Sequence, residues 1–417
     1  MTRRVVRVLE ELVFWEVFSL QKSLRSELSR HVGASSPTIS RAVDSLLEKQ
    51  LIVQQGAAQV SRGRKPQFLT VNPRLATLLG LEVDRDRVTA VVTNLTGNLL
   101  GRGSLACDAA KGVDAVLKAS RKAIGDALRD AGLSKSEVSR LGVGHPGVLD
   151  VENGRCLFWP NVSGWINVPL RQMVEASIGV HVTLDDRSRA LALAERRARP
   201  TDGLHRNAIY VNVGTGIGTG IFVEGELFRG STKTAGEIGH LSIDKNGPFC
   251  SCGKRGCVEA YAGISAVMRD IRAALTAGAF SSLRKTCNEN WDELSIEMVA
   301  SAAAKGDRVA LTTLHNAASA LGMGLADAIQ ILNPSLIVLC GKLVRLVGSF
   351  ILPVVKDAVV QQCFAGQPGQ LEIRLTSPKK DISAVGCALL GADVEARRIV
   401  REKLYEASSR SASFLSN

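Results

Sequence analysis

Residues 236–259 read Gly-Glu-Ile-Gly-His-Leu-Ser-Ile-Asp-Lys-Asn-Gly-Pro-Phe-Cys-Ser-Cys-Gly-Lys-Arg-Gly-Cys-Val-Glu. His240, Cys250, Cys252 and Cys257 offer one imidazole and three thiolates, the number and softness of a closed tetrahedral zinc site. The Cys-x-Cys step is tighter than the common Cys-x2-Cys of zinc fingers, and Gly253 and Gly256 free the backbone to turn among the ligands. The competing reading, buried small thiols, suits this stretch less well: three cysteines crowd into eight residues beside Pro248 and two glycines, which describes a loop. A structural zinc ion is the expected cofactor.

The spacing Glu-x-Gly-His followed by Cys-x-Cys-Gly-x-x-Gly-Cys-x-Glu resembles the signature of the ROK family, whose members are bacterial sugar kinases and sugar-responsive transcription regulators. The resemblance implies that His240 is both a zinc ligand and a sugar contact, and that Glu237 and Glu259 hydrogen-bond sugar hydroxyls. It also implies an actin-like, ribonuclease-H-type α/β fold with a cleft between two lobes. Kinase and regulator remain open on this stretch alone.

The chain has 417 residues, enough for two or three domains with their own cores. Hydrophobic residues make up 45% and charged residues 22%, an ordinary globular balance. No apolar run of about 18 residues is present and the N-terminus is charged, so a cytoplasmic protein with no membrane partner is expected. Of the nine cysteines, six lie scattered among apolar neighbours and read as buried thiols, not as a disulfide framework. The net charge of +12 suits a polyanionic partner, although a basic balance by itself often serves only solubility.

Residues 1–72 hold 11 Lys/Arg against 6 Asp/Glu, a local excess of about +5. From Val5 to Leu20, Val5, Val8, Leu9, Leu12, Val13 and Val17 recur at helical spacing. A second helix follows, with Ser23 as N-cap and Gly33 at its end; a third opens on Ser36 as N-cap and Pro37 as first helical residue. Ile39, Val43, Leu46 and Leu47 would face inward, leaving Thr38, Arg41 and Ser45 outward with Ser36 at the tip. This is the helix-turn-helix pattern, whose second helix enters the DNA major groove. Leu51–Val53 and Phe68–Val71 read as the strands of a wing whose tip carries Arg62, Arg64 and Lys65, suited to a narrow minor groove. A winged helix-turn-helix domain is thus expected over 1–75, with a solvated basic loop as the bland alternative.

From Gly80 strands alternate with helices, which argues for an α/β fold with a mixed sheet in two lobes. Expected strands are Leu81–Thr93, Leu99–Leu105, Leu141–Gly144, Val180–Leu184, Asn207–Val213, Gly220–Val223 and Leu336–Leu339. Expected helices are Val113–Ala131, Ser188–Arg199, Val258–Ala277, Ile296–Lys305 and Val309–Leu332. The sensor would span 76–395, and 396–417 would form a charged tail, helical and then disordered. No internal repeat is visible.

Residues 210–220, Tyr-Val-Asn-Val-Gly-Thr-Gly-Ile-Gly-Thr-Gly, form a glycine-rich turn after a strand, either a phosphate loop or a turn needing positive φ at Gly216 or Gly218. Family kinases follow their first strand with Asp-x-Gly-Gly-Thr; here the match is Glu82-Val83-Asp84-Arg85-Asp86, which brings carboxylates toward the ATP phosphates. Their Asn-Asp-Ala-Asn motif, whose Asp is the general base, falls on Asp186-Arg187-Ser188-Arg189, and an arginine is no base at neutral pH. A one-residue shift would restore Asp186 as base at the cost of the following helix match. Arg187 suggests an acidic or phosphorylated sugar, or simply an ion pair with a pocket carboxylate. Asn161, in the retained Pro160-Asn161 step, is expected to touch a hydroxyl, and Asp186 lines the same site.

These readings converge on a sugar-responsive DNA-binding regulator, a repressor of carbohydrate genes without kinase activity, acting as a homodimer or higher oligomer on an operator. The alternatives are an ATP-dependent sugar kinase with an added head, and a regulator governed by a protein partner.

Overall fold

The computed structural model describes residues 3–57, 67–160, 162–198, 205–364, 366–376 and 381–406. Three helices open the chain: α1 (Arg3–Leu20), α2 (Arg25–Val32) and α3 (Ser36–Glu48). The antiparallel strands β1 (Ile52–Ala57) and β2 (Gln67–Val71) follow. Caps differ from expectation by one residue. α2 is capped at Leu24, because the Ser23 backbone is engaged with Leu69 of β2 in both directions, at 3.1 and 2.8 Å. α3 is capped at Ser35, with Pro37 in its first turn. The apolar stripe of α1 divides: Val13, Phe14 and Val17 are buried, whereas Val5, Val8 and Leu12 are 46%, 48% and 52% exposed.

The first lobe comprises β3 (Thr77–Val83), β4 (Arg87–Asn94), β5 (Leu99–Ala106), α4 (Val113–Ala131) and β6 (Arg140–His145). A small sheet of β7 (Val148–Asp150), β8 (Arg155–Phe158) and β9 (Ile166–Val168) follows, then α5 (Leu170–Ile178), β10 (Val182–Asp186) and α6 (Arg187–Ala198). The strand expected over Leu81–Thr93 is a hairpin, because Asp84–Asp86 turn the chain back between β3 and β4.

The second lobe comprises β11 (Ala208–Val213), β12 (Ile217–Val223), β13 (Glu226–Phe228), α7 (Glu259–Ala262), α8 (Ile264–Thr276), α9 (Leu283–Thr286), α10 (Ile296–Ala304), α11 (Arg308–Leu332), β14 (Leu336–Cys340), α12 (Lys342–Gln362) and β15 (Glu372–Leu375). The helix expected over Val258–Ala277 breaks at Gly263, whose extended backbone caps α8. α13 (Ile382–Arg401) closes the chain.

The main sheets run β10-β6-β3-β4-β5 and β13-β12-β11-β14-β15. Each is an antiparallel three-strand meander whose first strand is joined in parallel by a later strand, which is joined in parallel by another. The lobes are therefore topological copies, the two-lobed α/β architecture expected, with a duplication that sequence comparison within the chain does not reveal. α13 returns from the second lobe to the first. A β-carbon on Gly142 of β6 would overlap the carbonyl oxygen of Cys387, and one on Gly386 that of Ala190, so glycine is what lets α13 lie against both β6 and α6. α13 also crosses the boundary expected at 395–396. Ala396, Ile399, Val400 and Leu404 are buried in one core with Val13, Phe14 and Leu46, so residues 396–406 are a joint between the N-terminal helices and the sensor lobe. No helix among the described residues is long and apolar enough to cross a membrane.

Candidate functional site

The cleft side of the second lobe is built on the turn between β11 and β12. Gly216 and Gly218 have no positive φ, against the turn reading; their missing side chains make room. A β-carbon at Gly216 would overlap the Glu259 carboxylate and one at Gly218 the Ser188 hydroxyl. Glu259 Oε2 instead accepts the Ile217 amide at 2.9 Å, and its Oε1 lies 3.1 Å from Ser251 Oγ. The glycine run thus seats a carboxylate, using an amide that a phosphate would need.

His240 ends a short 3-10 turn, Ile238–His240, that begins beside Glu237. Its Nδ1 lies 3.5 Å from Cys250 Sγ, and its Nε2 points the other way, 3.9 Å from Glu237 Oε2. Cys252 and Cys257 sulfurs are 3.7 Å apart, and the ligand atoms of His240, Cys250, Cys252 and Cys257 all lie within 4.8 Å of one another. Bridges Ser242–Cys257 and Phe249–Arg255 fold the intervening loop, Arg255 lies 3.6 Å over the Phe249 ring, and Gly253 and Gly256 supply φ of 88° and 67°.

The first lobe contributes the carboxyl ends of β3, β6 and β10. Asp186 caps α6, its Oδ1 accepting the Ser188 and Arg189 amides at 2.7 and 3.1 Å. Burial raises its pKa, against Arg189 and those amides. Partial burial, then repulsion from Asp186, likewise holds the Glu237 carboxyl above its usual range. Asp186, His240 and Glu259 all lie near enough to Glu237 to act on its charge.

Arg187 is held at the β3–β4 turn. Its guanidinium pairs with Asp84 in the β3–β4 turn, and burial, which would lower its pKa, is more than offset by Asp84 and Glu82. Buried Glu82 has a raised pKa that Arg187 pulls back down. The residues matched to the first phosphate loop and to the general base are partners of one another. Arg187 Nη1 is thus engaged by a carboxylate of the turn, the ion pair that stands as the alternative to an acidic sugar.

Asn161, Arg62, Arg64 and Lys65 lie outside the described residues. Near the N-terminus, Ser36 and Arg41 are exposed on α3, and Thr38 Oγ1 lies 2.9 Å from Ser35 Oγ. Ser45 does not face outward as expected: its hydroxyl donates at 2.6 Å to Glu10, a carboxylate only 2% exposed that Lys49 also binds at 2.7 Å. Glu10 amid the apolar residues of α1 is the sequence signal for this pairing. Two other features escape the sequence. Asp185, buried, binds Arg189 at 2.8 Å and Arg229 at 2.9 Å. His145 is packed between Trp159 and Trp165, and its Nδ1 accepts the Gly147 amide at 3.0 Å.

Comparison with known proteins places this geometry. The xylose repressor of Caldicellulosiruptor bescii is 28% identical over 363 residues, covering 87% of this chain and 90% of the relative. The glucokinase of Thermotoga maritima is 31% identical over 252 residues, 60% of this chain and 78% of the kinase. Among solved structures, a ROK transcriptional regulator homologous to the E. coli MLC protein aligns with TM-score 0.74 at 24% identity, over 96% of this chain and all of that one. The ROK hexokinase of Thermus thermophilus aligns with TM-score 0.62 at 27% identity, over 77% of this chain and 99% of that one. The ROK family profile matches residues 78–394, both lobes and the first 13 of the 20 residues of α13, and on that extent the chain belongs to the ROK family.

Proposed function

We propose that this chain is a sugar-responsive, DNA-binding transcription regulator of the cytoplasm, a repressor of carbohydrate genes without kinase activity. The observation that carries this reading is the asymmetry of the cleft. Its hydroxyl-binding side keeps Asp186, Glu237, Glu259 and His240, while its phosphate side is filled by the Arg187–Asp84 pair. ATP approaching that side would meet Asp84 and Asp86 in a turn whose Asp84 already occupies the Arg187 guanidinium, and Coulomb repulsion from these carboxylates opposes its triphosphate. Three carboxylates around the sugar side favour a neutral polyol, such as a pentose or hexose, over an acidic one.

His240 Nδ1 and the sulfurs of Cys250, Cys252 and Cys257 would hold zinc. Tetrahedral bonds of about 2.3 Å to sulfur and 2.0–2.1 Å to nitrogen put sulfurs about 3.8 Å apart and nitrogen about 3.5 Å from sulfur, which matches the 3.7 and 3.5 Å found. The ion supplies a cross-link for the loop, and His240 Nε2 stays turned to the sugar.

α2, the turn at Gly33 and α3 with β1–β2 read as a winged helix-turn-helix. Ser36, Thr38 and Arg41 would meet the major groove, and the wing tip with Arg62, Arg64 and Lys65 the minor groove. Two copies on paired half-sites supply operator affinity that one short helix lacks. Sugar closing the cleft favours one lobe arrangement and, through α13, one setting of the heads. Calorimetry with xylose, glucose and ATP tests this, alongside gel shifts on DNA upstream of the gene. Binding of one neutral sugar that alters the shift, with no heat from ATP, is expected; sugar phosphorylation from ATP would overturn the reading.

A further inference from the structure

A cavity of about 480 Å³ lies where α1, α6, α13 and the β12–β13 hairpin meet, and neither Glu237 nor His240 is in its wall. Its volume falls within the range of small-molecule sites. Three guanidiniums in its wall lie on aromatic rings: Arg197 4.4 Å from the Phe18 centroid, Arg397 4.7 Å from Trp15, and Arg196 4.6 Å from Phe222. A ring against its face holds a guanidinium still and leaves its N–H edge free for an oxyanion. Each of the three pairs joins two different elements, α6 to α1, α13 to α1 and α6 to β12, so the lining is shared by head and both lobes.

The charges do not cancel. Lys233 and Arg229 also line the cavity, against Asp185, Glu226 and Asp393. Asp185 is taken by Arg189 and Arg229, and Asp393 by Arg397 at 3.1 Å. Of the remaining cations, Arg196 spends one N–H on the His205 carbonyl at 3.1 Å and feels Glu226, while Arg197 feels only the Asp393 carboxylate that Arg397 already holds. Arg197 Nε is buried with no hydrogen-bond partner among the described residues, and burial pushes the Arg197 guanidinium down to about 10, offset only by Asp393. A buried cationic donor without an acceptor is costly, and an oxyanion would satisfy it.

We propose that this cavity is a second ligand site that binds a dianionic phosphate monoester of a small metabolite, its phosphate on Arg196, Arg197 and Lys233 and its carbon skeleton against Trp15 and Phe18. Asp185 links the two sites. It forms part of the cavity wall, and its partner Arg189 donates at 2.7 Å to the Lys233 carbonyl, in the loop that leads to Glu237. On the regulator reading, a ligand here sets the angle between head and sensor; the site itself does not depend on that reading.

Calorimetry of the full chain with glucose 6-phosphate and with inorganic phosphate, each with and without saturating neutral sugar, tests the site. One phosphate site per chain is expected, unaffected by Glu237→Gln or by neutral sugar. Arg197→Gln should weaken it at least about tenfold, the loss typical of a charge-assisted pair, with Arg197→Lys in between. Cooperative melting of each variant shows that it folds. No binding of either probe at about 10 mM, against the millimolar floor expected of two such contacts, overturns the proposal. So does undiminished binding in Arg197→Gln, or loss of binding in Glu237→Gln, which would place the phosphate in the sugar cleft.

Discussion

Substituting Asp84→Asn and Arg187→Gln singly and together measures whether the filled phosphate side is a coupled unit. The Arg187 side chain is 16% exposed and that of Asp84 45%, so the pair lies between surface ion pairs, worth about 0.2–1 kcal/mol, and buried ones, which cost about 3–5 kcal/mol to break. With screening at the open Asp84 end, a coupling energy of about 1–2 kcal/mol is expected. The single variants should differ. Arg187→Gln also strips the buried Glu82 carboxylate of the cation that lowers its pKa, so it should destabilise more than Asp84→Asn, and more at pH 8 than at pH 5, where Glu82 can take a proton. Denaturant unfolding followed by tryptophan emission reads the first lobe through Trp159 and Trp165 once Trp15 and Trp291 are replaced by Phe in every variant compared. Additive single effects, within about 0.3 kcal/mol, or a larger loss in Asp84→Asn, would refute the reasoning and leave Arg187 free for an acidic ligand.

His145 is neutral in the folded protein, burial lowering its pKa to about 3, so the unfolded chain alone takes up its proton between pH 6.5 and 3. Stability present above pH 6.5 should fall by up to about 1.4 kcal/mol per pH unit below it, and His145→Phe should flatten that limb of a pH series of urea midpoints. Ser45→Ala removes one donor from buried Glu10 and should cost about 1–3 kcal/mol in urea unfolding without changing the salt dependence of DNA binding. Arg41→Ala should do the reverse, lowering the log–log salt slope by about one at unchanged stability. Cys257→Ser should reduce bound zinc measured by mass spectrometry, lower the melting temperature, and weaken neutral-sugar binding along with it; zinc retained in full would remove Cys257 from the ligand set.

What sequence could show here was whatever has a local period or a fixed spacing. Helices such as Val113–Ala131 follow from side-chain periodicity, and the His240, Cys250, Cys252 and Cys257 cluster follows from four residues within eighteen positions of one another. The misses share a physical cause: each depends on a partner distant in the chain. Ser45 sits on an outward-facing helical position by period alone, yet Glu10, 35 residues earlier, draws its hydroxyl inward. Gly216 looks like a turn glycine, but Glu259 needs its empty volume. Arg187 and Asp84, 103 residues apart, each read as damage to a kinase motif; together they form an ion pair that satisfies two groups the fold brings to one sheet edge. Residues 396–406 read as a charged tail because Arg and Glu dominate their composition, while their few apolar residues face the core shared with α1. Asp84 and Arg187 therefore cannot be judged one position at a time: the arginine at the position matched to the base pairs with the aspartate at the position matched to the phosphate loop, so each accounts for the other's charge.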